Sequence, residues 1–175
     1  AFRVIWDQVN DQRFLAYALK VVGDDNTVYL KKPMSSSELG QSIRSAEAFL
    51  NRMEAYALSG EEGLALAELN AFRKTRVIGY TDVNLSGQTL LDEIRLERRK
   101  ELCFEGHRWF DLRRQGMPEI KHTYKAEKGG AVYEYVLQQG DPMYTLPFPN
   151  SVVLQNRALV QNPSREMGAR QGEIQ

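Results

Sequence analysis

Four side chains in one charged stretch carry groups that can do chemistry: Glu101, Glu105, His107 and Asp111. On a single helix, two carboxylates one turn apart could divide general-acid and general-base work, and an imidazole four residues from a carboxylate could hold a metal ion. Neither chemistry has its usual companions. The chain holds no H-E-x-x-H pair, no Gly-rich phosphate loop and no setting for a Ser or Cys nucleophile. No catalytic residue, metal ligand or cofactor is therefore expected. The plain alternative is a solvated charged face. Phe104, Trp109 and Phe110 lie among the charges, however, so some ionic groups have to approach the packed side. There, Arg–carboxylate pairs with bidentate hydrogen bonds are the tolerable form. Glu97, Glu101 and Glu105 are like charges one turn apart, and Arg98, Arg108 and Arg114 can answer them.

These residues need a helix to carry them. Thr89 and Asp92 can cap its start, Gly116 suits the left-handed position past its end and Pro118 forbids continuation, which predicts one long helix over 89–116. Gly106 inside it would cost about 1 kcal/mol relative to Ala, and so predicts a close approach of another backbone. Upstream, Ser35 with Glu38 makes a capping box, followed by Leu39, Ile43, Ala46, Leu50, Met53 and Ala57 at alternating spacings of four and three. Ser59-Gly60 ends that stripe, and a second helix runs through Leu66, Leu69 and Phe72 to Thr75. The short connection makes residues 35–75 an antiparallel helical hairpin of tetratricopeptide-like size, with no second copy in the chain.

The remaining elements are smaller. Phe2 to Trp6 is a short β-rich run, and Val21-Val22 and Thr27 to Leu30 flank a Gly23-Asp24-Asp25-Asn26 turn as two short strands. Ala131 to Leu137 alternates as a strand and is turned by Gln138 to Pro142 toward Met143 to Leu146, a predicted hairpin. Pro147 and Pro149 stop sheet pairing, and Ser151 can cap a short helical turn.

Composition narrows the function classes. With 175 residues the chain can bury a core without crosslinks, and its single Cys and two His exclude a disulfide scaffold and a Cys-rich zinc site. Lys+Arg and Asp+Glu are equal at 23 each, which removes the basic footprint of a nucleic-acid-binding protein. No apolar run is long enough to span a bilayer, and the first residues do not form a signal peptide.

The segment Glu97 to Arg114, ERRKELCFEGHRWFDLRR, closely resembles the signature helix of the SusD/RagB family, surface lipoproteins of Bacteroidetes-type bacteria that bind glycans or other nutrients. Three further blocks stand in the family's order. Ile43 to Arg52 with Glu54-Ala55 resembles its IRxAExYLxxAEA helix, and Leu69-Asn70-Ala71-Phe72-Arg73 its LNxxR element. Leu146-Pro147-Phe148-Pro149 with Leu159 to Pro163 resembles its closing segment. Asn10 to Phe14 is a fainter echo of an NDxRF element. Cys103 lies inside the signature and is not a lipidation site, and Val152 stands near where the family often has an acid.

The resemblance implies a mainly α, α-α superhelical SusD-like fold with a small β element. Residues 1–175 would then be the C-terminal part of one domain: hairpin 35–75, signature helix 89–116, and β-hairpin and closing segment 131–163. It implies that Glu97, Arg98, Glu101, Glu105, Gly106, Arg108, Trp109 and Asp111 form a packing and ion-pair element rather than a catalytic one. His107 and His122 are then ordinary helix and loop residues. It further implies a non-enzymatic nutrient-binding protein at the outer-membrane surface, lipid-anchored through an N-terminal part outside this chain. Such a protein passes an oligosaccharide to a SusC-like TonB-dependent transporter. Sugar capture calls for aromatic platforms flanked by hydrogen-bonding groups, and Trp6 and Tyr80 are the candidates, with Trp109 expected in the core. A helical-repeat module that binds a protein partner is the competing class.

Overall fold

The alternating apolar spacing after Arg44 produces a helix with one buried stripe: α2 (Ser45–Leu58) turns Ala46, Leu50 and Met53 inward. The computed structural model describes residues 5–19, 29–30, 44–127, 129–156, 158–166 and 172–174. The expected strand start at Phe2, the Val21-Val22 run, the turn at Gly23 to Asn26, and Ser35, Glu38, Leu39 and Ile43 of the first hairpin helix lie outside the described residues. The described chain is mainly helical with a small three-stranded sheet, and it divides into two compact units, Ala1–Arg108 and Trp109–Gln175.

In the first unit, residues 59–61 fold α3 (Glu62–Lys74) back on α2, as the Ser59-Gly60 signal predicts. The next helix, α4 (Gly87–Glu101), closes the layer: Leu90 and Ile94 pack with Leu50, Met53, Leu69, Phe72 and Leu102 in one core. A short helix α1 (Gln12–Tyr17) precedes β1 (Ala18–Leu19), which pairs antiparallel with β2 (Tyr29–Leu30). A second, smaller cluster joins Trp6, Phe14 and Cys103. The chain before α1 meets the one after α3 through a bridge of Asp11 with Val77, and the Gln12 amide donates to the Arg76 carbonyl at 2.9 Å.

The single helix expected over 89–116 is two helices. α4 starts after Ser86, so Thr89 and Asp92 stand inside it, and it ends at Glu101. α5 runs from His107 to Arg114. Between them Phe104 (φ +63°) and Gly106 (φ +81°) adopt left-handed backbone, which an α-helix cannot contain. Gly106 is thus explained by conformation and not by a neighbour, since a Cβ there would meet nothing within 4 Å. Gly106→Ala is expected to lower stability by about 1–2 kcal/mol through backbone strain alone. Urea denaturation reads this, and a loss above about 3 kcal/mol, the range of core overpacking, would contradict the open surroundings.

The aromatics of this stretch also differ from expectation. Phe104 and Phe110 are 52% and 67% exposed, so they are not what draws the charges inward. Trp109 is half-buried rather than core, stacked on Tyr144 at 5.0 Å with an interplanar angle of 25°.

In the second unit, β3 (Ile120–Lys125) pairs antiparallel with β4 (Val132–Leu137), and β5 (Glu173–Ile174) adds to the other side of β4. The strand predicted over 131–137 forms from Val132 to Leu137, but its partner lies upstream, and His122 belongs to a strand instead of a loop. Met143 to Leu146 makes no hairpin because Pro142 opens a 3-10 turn there, and the Asp141 carboxylate accepts the Met143 amide at 2.8 Å. Helix α6 (Asn150–Gln155) begins after Pro149, with Ser151 inside its first turn. The closing segment is held by amide side chains. Gln161 both accepts from the Phe148 amide (2.8 Å) and donates to its carbonyl (3.0 Å), and Asn162 donates to the Leu146 carbonyl (2.8 Å).

Candidate functional site

The charged face of α4 does not face water. Glu97 and Glu101 are 1% and 2% exposed, one turn apart on the side turned toward α1 and the ends of α2 and α3. Each is met by guanidiniums from other elements. Arg13 of α1 forks onto Asp11 (Nε and Nη2, 2.9 and 2.8 Å) and reaches Glu97 at 2.6 Å and Glu101 at 3.2 Å. Arg44, just before α2, meets Glu101 at 2.7 Å and Glu105 at 2.5 Å. Arg73 of α3 joins Glu97 at 2.8 Å to Glu93 at 2.6 Å, and Arg76, just past α3, donates to Glu101 at 3.1 Å.

Electrostatics shifts four groups here, Glu101, Arg13, Arg73 and Lys100. Burial opposes ionisation of Glu101, but the hydrogen bond and field of Arg76 and the field of Arg13 outweigh it, so its carboxyl lies below the ordinary range. For Arg13, burial likewise opposes the charge, and the Asp11 hydrogen bonds with the Glu97 field overcome it, raising its pKa further. In Arg73 the same balance, set by Glu97 and Glu93, again favours the cation. Lys100, half-buried beside them, is shifted the other way: desolvation lowers its pKa more than Glu97 restores it. A general acid at neutral pH needs a raised carboxyl pKa, and Glu101 is moved in the opposite direction.

The other residues singled out by sequence fall at separate places. Arg98 donates to Asn51 Oδ1 (2.8 Å) and lies 3.7 Å from Glu47, which is also 3.7 Å from His107 Nδ1. Asp111 is 5% exposed, and Arg114 places Nε and Nη2 both 3.0 Å from its Oδ1. Arg108 is exposed. The four groups that could have done chemistry on one helix are thus spread over α4 (Glu101), the turn after it (Glu105) and α5 (His107 and Asp111), with Arg44 shared by the two glutamates, Glu47 near His107 and Arg114 on Asp111. Among the described residues, no cluster of three or more His, Cys, Asp or Glu could hold a metal ion, and no helix is long and apolar enough to cross a membrane.

Neither aromatic candidate presents an open platform. Trp6 is 6% exposed, with its ring 6.2 Å from Phe14 and edge-on to Tyr17 at 6.1 Å, so it is a core residue. Tyr80 is half-buried and donates its hydroxyl to Asn70 Oδ1 (2.8 Å). That same Asn70 exchanges hydrogen bonds with the backbone of Val83 and pins the loop before α4.

Sequence reasoning missed Asp11, Arg13, Arg44, Arg73 and Arg76 as a set. The signal was present in the short blocks themselves: NDxRF contributes Arg13, with Asp11 holding its guanidinium, IRxAE contributes Arg44, and LNxxR contributes Arg73, each arginine to carboxylates of the fourth block. Separate in sequence, the blocks meet in one ion-pair network.

Comparison with known proteins follows the same segment. A sequence model of the SusD family matches residues 11–164. A solved SusD superfamily protein from Bacteroides fragilis is 29% identical with a TM-score of 0.63, over 85% of this chain and 33% of its own. A SusD-like protein from the same species is 26% identical with a TM-score of 0.53, over 69% of this chain and 25% of its own. A SusD-like carbohydrate binding protein from Bacteroides vulgatus, 22% identical with a TM-score of 0.59 over 90% of this chain and 40% of its own, shares the fold. The chain therefore spans less than half the length of each of these structures. No curated protein matches it.

Proposed function

The chain belongs to the SusD family, and from that premise we propose that it is the C-terminal portion of a non-enzymatic protein that captures an oligosaccharide at the outer surface of a bacterial outer membrane. It delivers the sugar to a SusC-like TonB-dependent transporter, and a lipid anchor N-terminal to this chain attaches the protein to the membrane. The match over residues 11–164 carries the reading, because it takes in every block that supplies the ion-pair network. The carbohydrate-binding neighbour from Bacteroides vulgatus supports the ligand class. The state of the carboxylates supports binding over hydrolysis. Glu101 and Glu105 are held by arginines, and a glycosidase needs one carboxyl free to stay protonated.

Titration calorimetry of the full-length protein against a panel of oligosaccharides tests this. At least one is expected to bind with no turnover, and Glu101→Gln is expected to leave the sugar unhydrolysed as before. Binding of a peptide or the transporter with no saccharide bound would end the glycan reading in favour of a helical-repeat interaction module.

A further inference from the structure

We infer that one face of the β3–β4–β5 sheet is a binding surface for a neutral oligosaccharide; this rests on the glycan-binding reading above and names its site. Strand alternation and the cross-strand register decide which side chains share a face. Ile120 stands opposite Leu137, His122 opposite Tyr135 and Tyr124 opposite Tyr133. The intervening pairs are Lys121 with Val136, Thr123 with Glu134 and Lys125 with Val132. β5 obeys the same division, with Ile174 opposite Tyr133 and Glu173 opposite Glu134. Every Lys and Glu of these three strands, namely Lys121, Lys125, Glu134 and Glu173, therefore falls on one face. The other face carries His122, Tyr124, Tyr133 and Tyr135 with no Asp, Glu, Lys or Arg from any strand.

That face is partly open. Tyr124 is 53% exposed, His122 is exposed, and Tyr133 and Tyr135 are half-buried. A Cβ on Gly172 would lie 2.8 Å from the Tyr135 ring, so the bare backbone of residue 172 lets that ring lie across it. Toward Ile120 the face leads into a cleft of about 300 Å³ lined by Trp109, Ile120, His122, Tyr135, Met143 and Leu146. Its Trp109 wall is backed by Tyr144, whose hydroxyl donates to the Pro118 carbonyl at 2.6 Å. From Ile120 to Tyr124 the strand runs about 13 Å, at about 3.3 Å per residue, enough for more than one sugar ring.

The chemistry selects the ligand. A pyranose presents apolar C–H faces and a rim of hydroxyls, and phenol and imidazole rings offer a stacking face with a tip that both donates and accepts. The Tyr135 ring, already lying across the backbone of residue 172, loses little freedom on binding. An anionic or cationic ligand would find no opposite charge among the strand residues of this face, while the charges on the reverse face keep that side solvated.

Titration calorimetry of the full-length protein tests the site, with neutral gluco-, manno-, galacto- and xylo-oligosaccharides and a uronic-acid oligomer as probes. The neutral sugar that binds the unmodified protein is expected to lose about tenfold in affinity with Tyr124→Ala and about threefold with Tyr124→Phe. His122→Ala is expected to weaken it by about threefold to tenfold. Lys125→Ala, on the reverse face, should leave affinity within about twofold. Thermal unfolding checks each variant, and if Tyr124→Ala fails to fold, Tyr124→Phe and His122→Ala carry the test. Neutral-sugar binding unchanged in the aromatic-face variants would overturn this site while leaving the family function intact. Binding of the uronic-acid oligomer alone would overturn the neutral class, and no saccharide binding at all would overturn the proposed function together with the site.

Discussion

Replacing Glu101 with alanine is expected to lower the free energy of unfolding by about 3–5 kcal/mol, a large share of the roughly 5–15 kcal/mol that holds a typical domain. The carboxylate accepts from Arg13, Arg44 and Arg76 at once, and those cations come from α1, the start of α2 and the end of α3. Removing it leaves guanidiniums facing one another with their common anion gone; Arg13 is 5% exposed and cannot turn to water. Glu101→Gln keeps the shape but sets an amide N–H₂ against donors, so it should fall between the unmodified protein and Glu101→Ala. Urea denaturation measures both, and a loss under about 1 kcal/mol for Glu101→Ala, the scale of a surface pair, would show that the network is not what ties these elements together.

The same carboxylate gives a pH dependence with a definite sign. Its folded pKa lies below the ordinary value of 4.5. A depressed acid stabilises the fold fully above its unfolded value and loses that contribution as pH falls through the folded one. The unmodified protein should therefore lose stability as pH drops below about 4.5, and Glu101→Gln should lose less over the same range.

Local pattern made part of this network legible. Carboxylates one turn apart among aromatics call for arginine partners, and a search along the same helix finds Arg98, Arg108 and Arg114 at suitable spacings. The structure brings in arginines 88, 57 and 25 residues away from Glu101. Helix geometry explains the choice. Arg98 follows Glu97 by one residue and so projects about 100° around the axis, given 3.6 residues per turn, toward Asn51 and Glu47. Glu97 and Glu101, four apart, share the face turned to α1 and α3. No sequence-local rule identifies the element that will cover a face; only the assembled helices do.

The break between α4 and α5 has a similar lesson. Gly106 was visible as an unfavourable helix residue, yet glycine serves both close packing and left-handed backbone, and the second use accounts for it here. Phe104 at φ +63° carries no such signal at all. In the second unit, the alternation of residues 131–137 was enough to place a strand. Choosing its partner needed the knowledge that Pro142 and Asp141 would fold the downstream side into a 3-10 turn. Trp6 shows the limit for ligand sites: a tryptophan outside the predicted helices reads as a candidate platform until Phe14, Tyr17 and Cys103 are seen to pack against it.

Arg13→Met should cost about as much as the loss of Glu101, about 3–5 kcal/mol. Arg13 is the cation shared by Asp11, Glu97 and Glu101. Glu97 keeps Arg73, and Glu101 keeps Arg44 and Arg76, but the carboxylate of Asp11, 1% exposed, loses the guanidinium that grips both of its oxygens. A methionine fills much of the same space but supplies no side-chain donor, so of the hydrogen bonds that residue 13 gives to the buried Asp11 carboxylate only the backbone N–H remains. Urea denaturation measures the loss. A loss under about 1 kcal/mol for Arg13→Met, the scale of a surface pair, would show that Arg13 acts through packing of its stem rather than through its charge. A loss of the expected size identifies α1, a helix of six residues, as pinned to α4 by ion pairs and not by its apolar contacts alone.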